Sequence, residues 1–419
     1  MEAFSGYFSA GRTTKKFIFN IILCHAILSP AVTNLNGQII TTQTDGSEPY
    51  PRAVSALFLT IAPDARSAGM AEAGVASDPD INSQHWNPAK YAFIDGKGGI
   101  SASYSPWLTR LRSDIHLGYI SGYYRINDKN VLSGSFRYIS LDKIVFIDLT
   151  GIEDISYHYE LAGDMGYSRK FTNHLSGSLV LRYIQSDIMP VRFIGEELYT
   201  KPGRSIAGDV GFYYHNKIGM GTKTASWGIG CNVSNIGAPI SYMADREYRT
   251  PIPTNLRIGG RFTINLNDNN SISLLADANK LLVPTVPEYG IDSITDDQII
   301  LHGMEPPESV IKGMIQSFYD APGFVKADRT RSVFLEEMHE VIFSTGAEYL
   351  YKDRYAVRFG YFHEHLTKGG RQFITAGIRA RFIFLDLDLS YLIPLEGSRS
   401  LLHNTFRISM TAEFGKSPT

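Results

Sequence analysis

Two cysteines in 419 residues leave almost nothing to staple. Cys24 falls in an amino-terminal leader, so once the leader is removed Cys231 stands alone and no intrachain disulfide can form. Long apolar runs are missing too. Nothing in the main body approaches the ~20 apolar residues that a spanning helix requires, and the mean hydropathy of -0.11 is that of a soluble protein. A helical membrane fold is thereby excluded, whereas a barrel, apolar on one face only, is not. Neither sign of charge is in excess: the formal net charge is -2 and the pI about 6.6, so nothing recommends nucleic acid as a partner. No linker-like run of Pro, Ser or Gly divides the body, which favours one large closed sheet over several domains. Nucleophile elbows, Walker loops and paired-cysteine metal motifs are also lacking. The expectation is a non-enzyme with no cofactor and no metal.

What the chain does have is alternation. In 156–170, Tyr157, Tyr159, Leu161, Met165 and Tyr167 fall on one face, while His158, Glu160, Asp164 and Ser168 fall on the other. Leu256, Ile258, Phe262 and Ile264 oppose Arg257, Arg261, Thr263 and Asn265, and Phe406, Ile408, Met410, Ala412 and Phe414 oppose Arg407, Ser409, Thr411 and Glu413. Period two puts successive side chains on opposite faces of a strand, as a wall between hydrocarbon and a polar interior requires. Such strands are expected near 99–108, 112–126, 129–142, 155–170, 173–187, 204–215, 224–235, 253–266, 270–281, 338–351, 354–365, 370–383, 384–395 and 402–414. That makes fourteen, and the fold class expected is an all-β, antiparallel transmembrane barrel with an amino-terminal lumenal plug.

The connectors alternate in length. Asn127–Asn130, Phe171–Asn173, Asn267–Asn270 and Lys352–Arg354 are tight and rich in Asn and Asp, which tolerate left-handed backbone. The intervening links are longer and culminate in 282–337. Outer-membrane barrels keep short turns in the periplasm and long loops outside, so parity places both termini in the periplasm. Tyr104, Trp107, Tyr123, Tyr124, Tyr349, Tyr351, Tyr355, Tyr361 and Phe362 sit near strand ends, where aromatic rings favour the headgroup layer; ordinary β propensity is the alternative.

Lys15 and Lys16 precede the apolar run Phe17–Leu28, with small residues at Ala31 and Gly37, which reads as an export signal. The division expected is a signal and cleavage region at 1–37, a segment at 38–57, a hatch at 58–98, a barrel at 99–414 and a tail at 415–419. Within the hatch, Asp64 is placed to cap a short helix and Asn87-Pro88 to fix a turn.

The hatch carries a resemblance. Asn87-Pro88-Ala89 matches the Asn-Pro-Ala turn of the FadL-like outer-membrane barrels, whose fold is a fourteen-stranded barrel with such a hatch. The fuller strings, Ala62-Pro63-Asp64-Ala65-Arg66 and 82–91 with Trp86, Asn87, Pro88 and Ala89, more narrowly resemble the PorV (LptO) barrels of the type IX secretion system. The resemblance covers about 58–414. It implies an outer-membrane component that works with the Sov/SprA translocon, accepts cargo through a carboxy-terminal domain and delivers it to the PorU sortase. The wider family implies a rival role, uptake of hydrophobic small molecules. A lipid-modifying enzyme is a third reading, without a Ser or His constellation to support it.

Three groups of residues stand out besides the hatch turn. Ile311, Met314, Ile315 and Phe318 share a helical face, either a docking ridge for cargo or translocon or a face packed back on the barrel mouth. His363-Glu364-His365 has metal-ligand spacing but no third ligand. Arg137, Arg182, Arg257, Arg261, Arg358, Arg379 and Arg407 are expected to face the lumen opposite Glu160, Asp164, Asp277 and Glu413 as interior ion pairs, with contact to outer-membrane lipopolysaccharide phosphate the alternative.

Overall fold

The computed structural model describes residues 54–108, 115–147, 153–188, 200–220, 223–243, 249–383, 385–395, 402 and 405–415. The export signal and the segment 38–53 lie outside the described residues. Alternation becomes wall. Nine strands run in sequence: β1 (Gly98–Pro106), β2 (His116–Asn127), β3 (Asn130–Ile147), β4 (Glu153–Lys170), β5 (Leu175–Asp187), β6 (Gly203–Met220), β7 (Lys223–Gly237), β8 (Asn255–Asn267) and β9 (Asn270–Leu281). The long link then folds two small hairpins, β10 (Glu288–Ile291) with β11 (Gln298–His302) and β12 (Phe324–Val325) with β13 (Arg331–Ser332). It also holds two helices, Val310–Gln316 and Val333–His339. Five more wall strands follow: β14 (Ile342–Tyr351), β15 (Tyr355–His363), β16 (Gln372–Phe382), β17 (Leu385–Pro394) and β18 (Phe406–Phe414).

Fourteen antiparallel strands close into one barrel, with β14 beside β9 and β18 beside β1. The closing register runs from Gly98 opposite Phe414 to Tyr104 opposite Ile408. Met165, Leu181 and Ile206 are 75%, 66% and 64% exposed, whereas Ser168, Arg358 and Arg407 are buried to 0%, 0% and 2%. A soluble sandwich shows the opposite arrangement, so the outer surface is built for hydrocarbon. This is an outer-membrane barrel.

Several boundaries differ from expectation: β2 begins at His116, β6 runs on to Met220, β18 begins at Phe406, and two further differences have a local cause in capping or pairing. The strand expected from 338 begins at Ile342, because Val333–His339 is helical: Ser332 accepts a hydrogen bond from the Leu335 amide at 3.3 Å as its cap. The strand expected to end at 142 continues to Ile147, pairing with a similarly extended β4. The expected tight turns at 127–130, 267–270 and 352–354 are present, and Asn127 and Asn267 each accept local amide bonds across them.

Residues 54–97 lie inside this cylinder. At one rim the Ser55 amide donates to the Pro251 carbonyl at 2.8 Å, in the long link between β7 and β8. At the other rim the Lys97 amide donates to Phe414 O at 2.9 Å, beside the short turns. An apolar cluster of Phe58, Leu59, Leu117, Ile139, Ile184 and Ile240 seals the long-loop side.

The wall leaves room for this segment by omitting side chains. A Cβ at Gly230 would overlap the Val75 carbonyl, one at Gly346 the Met70 side chain and one at Gly360 the Ala71 amide. Gly230→Val is expected to cost about 1–3 kcal/mol or more through overpacking. Gly219→Val, which meets nothing within 4 Å, serves as the matched control. Heat-modifiable gel migration of the purified barrel reads the difference, and equal melting of the two variants would show that contact with Val75 contributes nothing.

Candidate interaction surface and lumenal closure

The hatch turn is built from side-chain bonds to backbone. Asn87 Oδ1 accepts from the Ala89 amide at 3.1 Å, and its Nδ2 donates to Val75 O at 3.1 Å and to Phe212 O of β6 at 2.9 Å. Pro88 occupies the first turn of the 3-10 helix Pro88–Phe93, where its missing amide is no loss. The Pro88 and Ala89 carbonyls accept from Ser168 of β4 and Ser176 of β5, both at 2.7 Å. Trp86 is buried under the Arg257 guanidinium, 4.9 Å from its centroid, and its indole donates to Asp64 at 2.6 Å. The other Asp64 oxygen caps Ala65–Ala68 by accepting from the Ser67 amide at 2.9 Å. Two separated pieces of the sequence motif thus meet through one carboxylate.

The lumenal arginines divide into two kinds. Arg182 bridges Asp164 at 3.0 Å and Asp209 at 2.8 Å, while Arg358 bridges Glu348 at 2.6 Å and Asp388 at 2.5 Å. Arg379 pairs with Asp386 and Arg261 with Asp78 of the lumenal segment. These are interior ion pairs, as expected. Arg137, Arg257 and Arg407 instead donate to segment carbonyls: Phe58 O at 2.9 Å, His85 O at 3.1 Å and Ala62 O at 2.9 Å. The acidic partners also differ from expectation, since Glu160 accepts from Ser186 at 2.6 Å and Asp277 accepts the Gly74 and Val75 amides at 2.7 and 2.9 Å. Uncapped backbone inside the lumen needs donors and acceptors, and these long side chains supply them. Buried and so engaged, they do not present themselves to lipid phosphate.

The long loop stands on a buried charge cluster that alternation gave no sign of. Lys280 of β9 donates to Glu337 at 2.7 Å and to Glu340 at 2.6 Å. Lys368 donates to Glu336 at 2.5 Å, and the Gly323 and Ala321 amides donate to Glu336 and Glu337 at 2.6 and 3.0 Å. The helix Val333–His339 is therefore pinned to the rim from two sides.

With the second helix fixed, the first turns its apolar face outward. Ile311, Ile315 and Phe318 are exposed and Met314 is half-buried; Gly313 and Gln316 face inward, where Gln316 donates to Glu305 O at 2.9 Å. Phe334 and Ile294 of the same loop are also strongly exposed. Phe318 nonetheless lies under the Lys280 ammonium of β9, 5.7 Å from its ring centroid, so the ridge combines a contact at the barrel rim with an exposed apolar surface.

His363, Glu364 and His365 separate rather than converge. Glu364 pairs with Arg371 at 2.7 Å, His363 lies against Tyr361, and the His365 ring stacks on His339 with centroids 3.5 Å apart. No metal-binding group of three or more His, Cys, Asp or Glu occurs among the described residues. Burial, then the His339 ring, holds His365 down to about 4.

The profile of the family described as "Type IX secretion system protein PorV" matches residues 50–288. By structure the chain is similar to the Ralstonia pickettii toluene transporter TbuX, at 14% identity and a TM-score of 0.45 over 84% of this chain and 98% of that one. It is also similar to the Pseudomonas putida toluene transporter TodX, at 10% identity and 0.43 over 84% and 97%. A Pseudomonas aeruginosa FadL homologue aligns at 11% identity and 0.38 over 87% and 100%. No curated protein matches the sequence.

Removing one partner of a buried ion pair leaves the other uncompensated, which costs about 3–5 kcal/mol. Lys280→Met should therefore loosen the long loop without opening the barrel, seen as faster limited proteolysis within 282–341 at unchanged heat-modifiable migration; equal cleavage would discount the clamp. The pH dependence has a defined sign. Because His365 lies near 4 when docked and 6.5 when free, the undocked loop takes the proton first. Docking should weaken as pH falls from about 6.5 toward 4, and His365→Gln should remove that part of the acid-induced rise in cleavage.

Proposed function

This chain belongs to the family of the type IX secretion system protein PorV, and from that membership we propose that it receives exported cargo at its long-loop rim and hands it from the translocon to the attachment machinery. Membership makes it an outer-membrane component of type IX secretion. The partners proposed are the Sov/SprA translocon, the cargo carboxy-terminal domain and the PorU sortase, and the long-loop rim is taken to face the cell exterior. The hatch closes the lumen, so cargo is met at the rim and not carried through the pore.

The observation that carries this reading is the family match over 50–288, which spans the hatch and the first nine wall strands. The exposure of Ile311, Ile315 and Phe318 supports the docking step, because an exposed apolar face has surface to bury in a partner. An uptake role would call for a side opening in the wall. The pairing of β6 with β7 shifts register at Asp209, yet that carboxylate points inward to Arg182 and the Asn235 amide, which knit the shift together.

Changing Ile311, Ile315 and Phe318 together to Asp is expected to weaken capture of a cargo carboxy-terminal domain by more than about tenfold, since a few buried anchors carry most of an interface. Surface display of cargo in cells carrying this variant, with barrel abundance as reference, checks it. Normal display would remove the ridge from the mechanism, and normal secretion in a strain lacking the whole chain would remove the export role.

A further inference from the structure

Inside the barrel, residues 54–97 double back far enough to bring Trp86 to Asp64 and Asn87 to Val75, yet they enter at one rim and leave at the other. Near the long-loop rim the Ser55 amide bonds to Pro251 O at 2.8 Å, and Phe58 and Leu59 carbonyls accept from Arg137 at 2.9 and 3.0 Å. Lower down, Ala62 O accepts from Arg407 at 2.9 Å and the Ala65 amide donates to Ser409 at 2.8 Å, two residues further along β18. The Val75 amide meets Asp277, and Asn87 meets Phe212 at mid-wall. Pro88 and Ala89 carbonyls then meet Ser168 and Ser176, beside the short turn between β4 and β5. Asp95 O accepts from Tyr123 at 2.8 Å, and the Lys97 amide reaches Phe414 O, which places the start of β1 at the short-turn rim.

Parity alone assigned both termini to one side. The contacts do not allow this for the residues next to Val54, because Ser55 and Phe414 sit at opposite rims. We propose that the chain is threaded through its own barrel, so that the segment preceding Val54 emerges at the long-loop face and is displayed on the cell surface beside the loop 282–341. This rests on the reading that the long-loop rim faces outward. An apolar collar of Ile115, Leu117, Ile139 and Ile240 packs around Phe58 and Leu59 at the long-loop rim, and the Arg137 guanidinium ties the same turn to β3. Such an arm lies within reach of any protein partner engaged at that rim, whereas the carboxy-terminal strand ends on the opposite side.

The test uses full-length chain with Cys231→Ser and one new cysteine at a time: Thr44→Cys in the arm, Ile294→Cys at the tip of the β10–β11 hairpin, or Asp268→Cys in the short turn between β8 and β9. Intact cells are treated with a membrane-impermeant maleimide, and labelling is divided by that of the same protein after denaturation, with heat-modifiable migration confirming a closed barrel. Threading predicts that Thr44→Cys labels in intact cells to the same fraction as Ile294→Cys, while Asp268→Cys labels only after lysis. Thr44→Cys labelling only after lysis, together with surface labelling of Ile294→Cys, overturns the threading and leaves the orientation standing. Surface labelling of Asp268→Cys in place of Ile294→Cys overturns the orientation and with it display of the arm. In that case, Thr44→Cys grouping with Ile294→Cys still separates the path of the chain from the side it faces.

Discussion

A backbone amide in hydrocarbon has no water to fall back on, so every strand that crosses must find a neighbour on both sides. The pairing of β1 with β18 satisfies that demand, since without it two edges of an otherwise continuous sheet would lie open in lipid. Once the sheet closes, each strand has an outward face that must be apolar and an inward face that the lipid does not constrain. The inward face fills with Ser, Thr, Asp, Glu and Arg, and that polar lining then needs partners of its own. The lumenal segment is the answer to this second demand: its carbonyls accept from Arg137, Arg257 and Arg407, its amides donate to Asp277, Ser409 and Thr375, and Arg66 reaches Glu348 at 3.1 Å. Wall and filling therefore depend on each other, and neither has its polar groups satisfied alone.

This dependence explains what was legible in sequence and what was not. The wall is periodic, so Ile258 against Arg257, or Met410 against Ser409, discloses both the strand and the side each residue faces. All fourteen strands occur in the expected order, and the misplaced ends, among them those at Val341, Ile147, His116, Met220 and Phe406, lie toward the rims, where the constraint of the bilayer stops. The filling has no period. Asp64 caps one helix and Trp86 ends another, and they meet through a single 2.6 Å bond, which spacing along the chain gives no means of finding. Resemblance supplied Asn87-Pro88-Ala89, and the structure adds why that triplet is useful: one amide side chain holds the turn, the Val75 loop and strand β6 at once.

Charge was the less readable feature. Counting arginines against carboxylates anticipated the Arg182 bridge to Asp164 but neither the Glu348 and Asp388 partners of Arg358 nor that Arg137, Arg257 and Arg407 would turn to backbone carbonyls. The reason lies in the segment itself, whose short helices and turns leave carbonyls unpaired, so guanidiniums with several donors serve better than further ion pairs. The same limit applies outside the lumen. Nothing in the sequence marks Glu336, Glu337 and Glu340 as interior, yet they are buried because Lys280 of β9 and Lys368 of the link between β15 and β16 approach them from two sides.

The long loop makes physical sense only in the light of that clamp. A link of this length with an apolar helix would normally collapse onto the nearest greasy surface, here the lipid-facing wall or the mouth. Fixing Val333–His339 through ion pairs to the rim limits that freedom, and Ile311 and Ile315 stay exposed while Phe318 rests against Lys280. Exposure of such a face is unfavourable in the isolated barrel, at roughly 25 cal/mol for each Å² of apolar surface left in water. The buried charges favour this arrangement, since Glu337 and Glu336 of the second helix also hold the Ala321 and Gly323 amides just beyond the helix that carries the ridge. A surface kept open at that cost is poised for burial in something else, and the rim that carries it is also the rim at which the lumenal segment begins its descent.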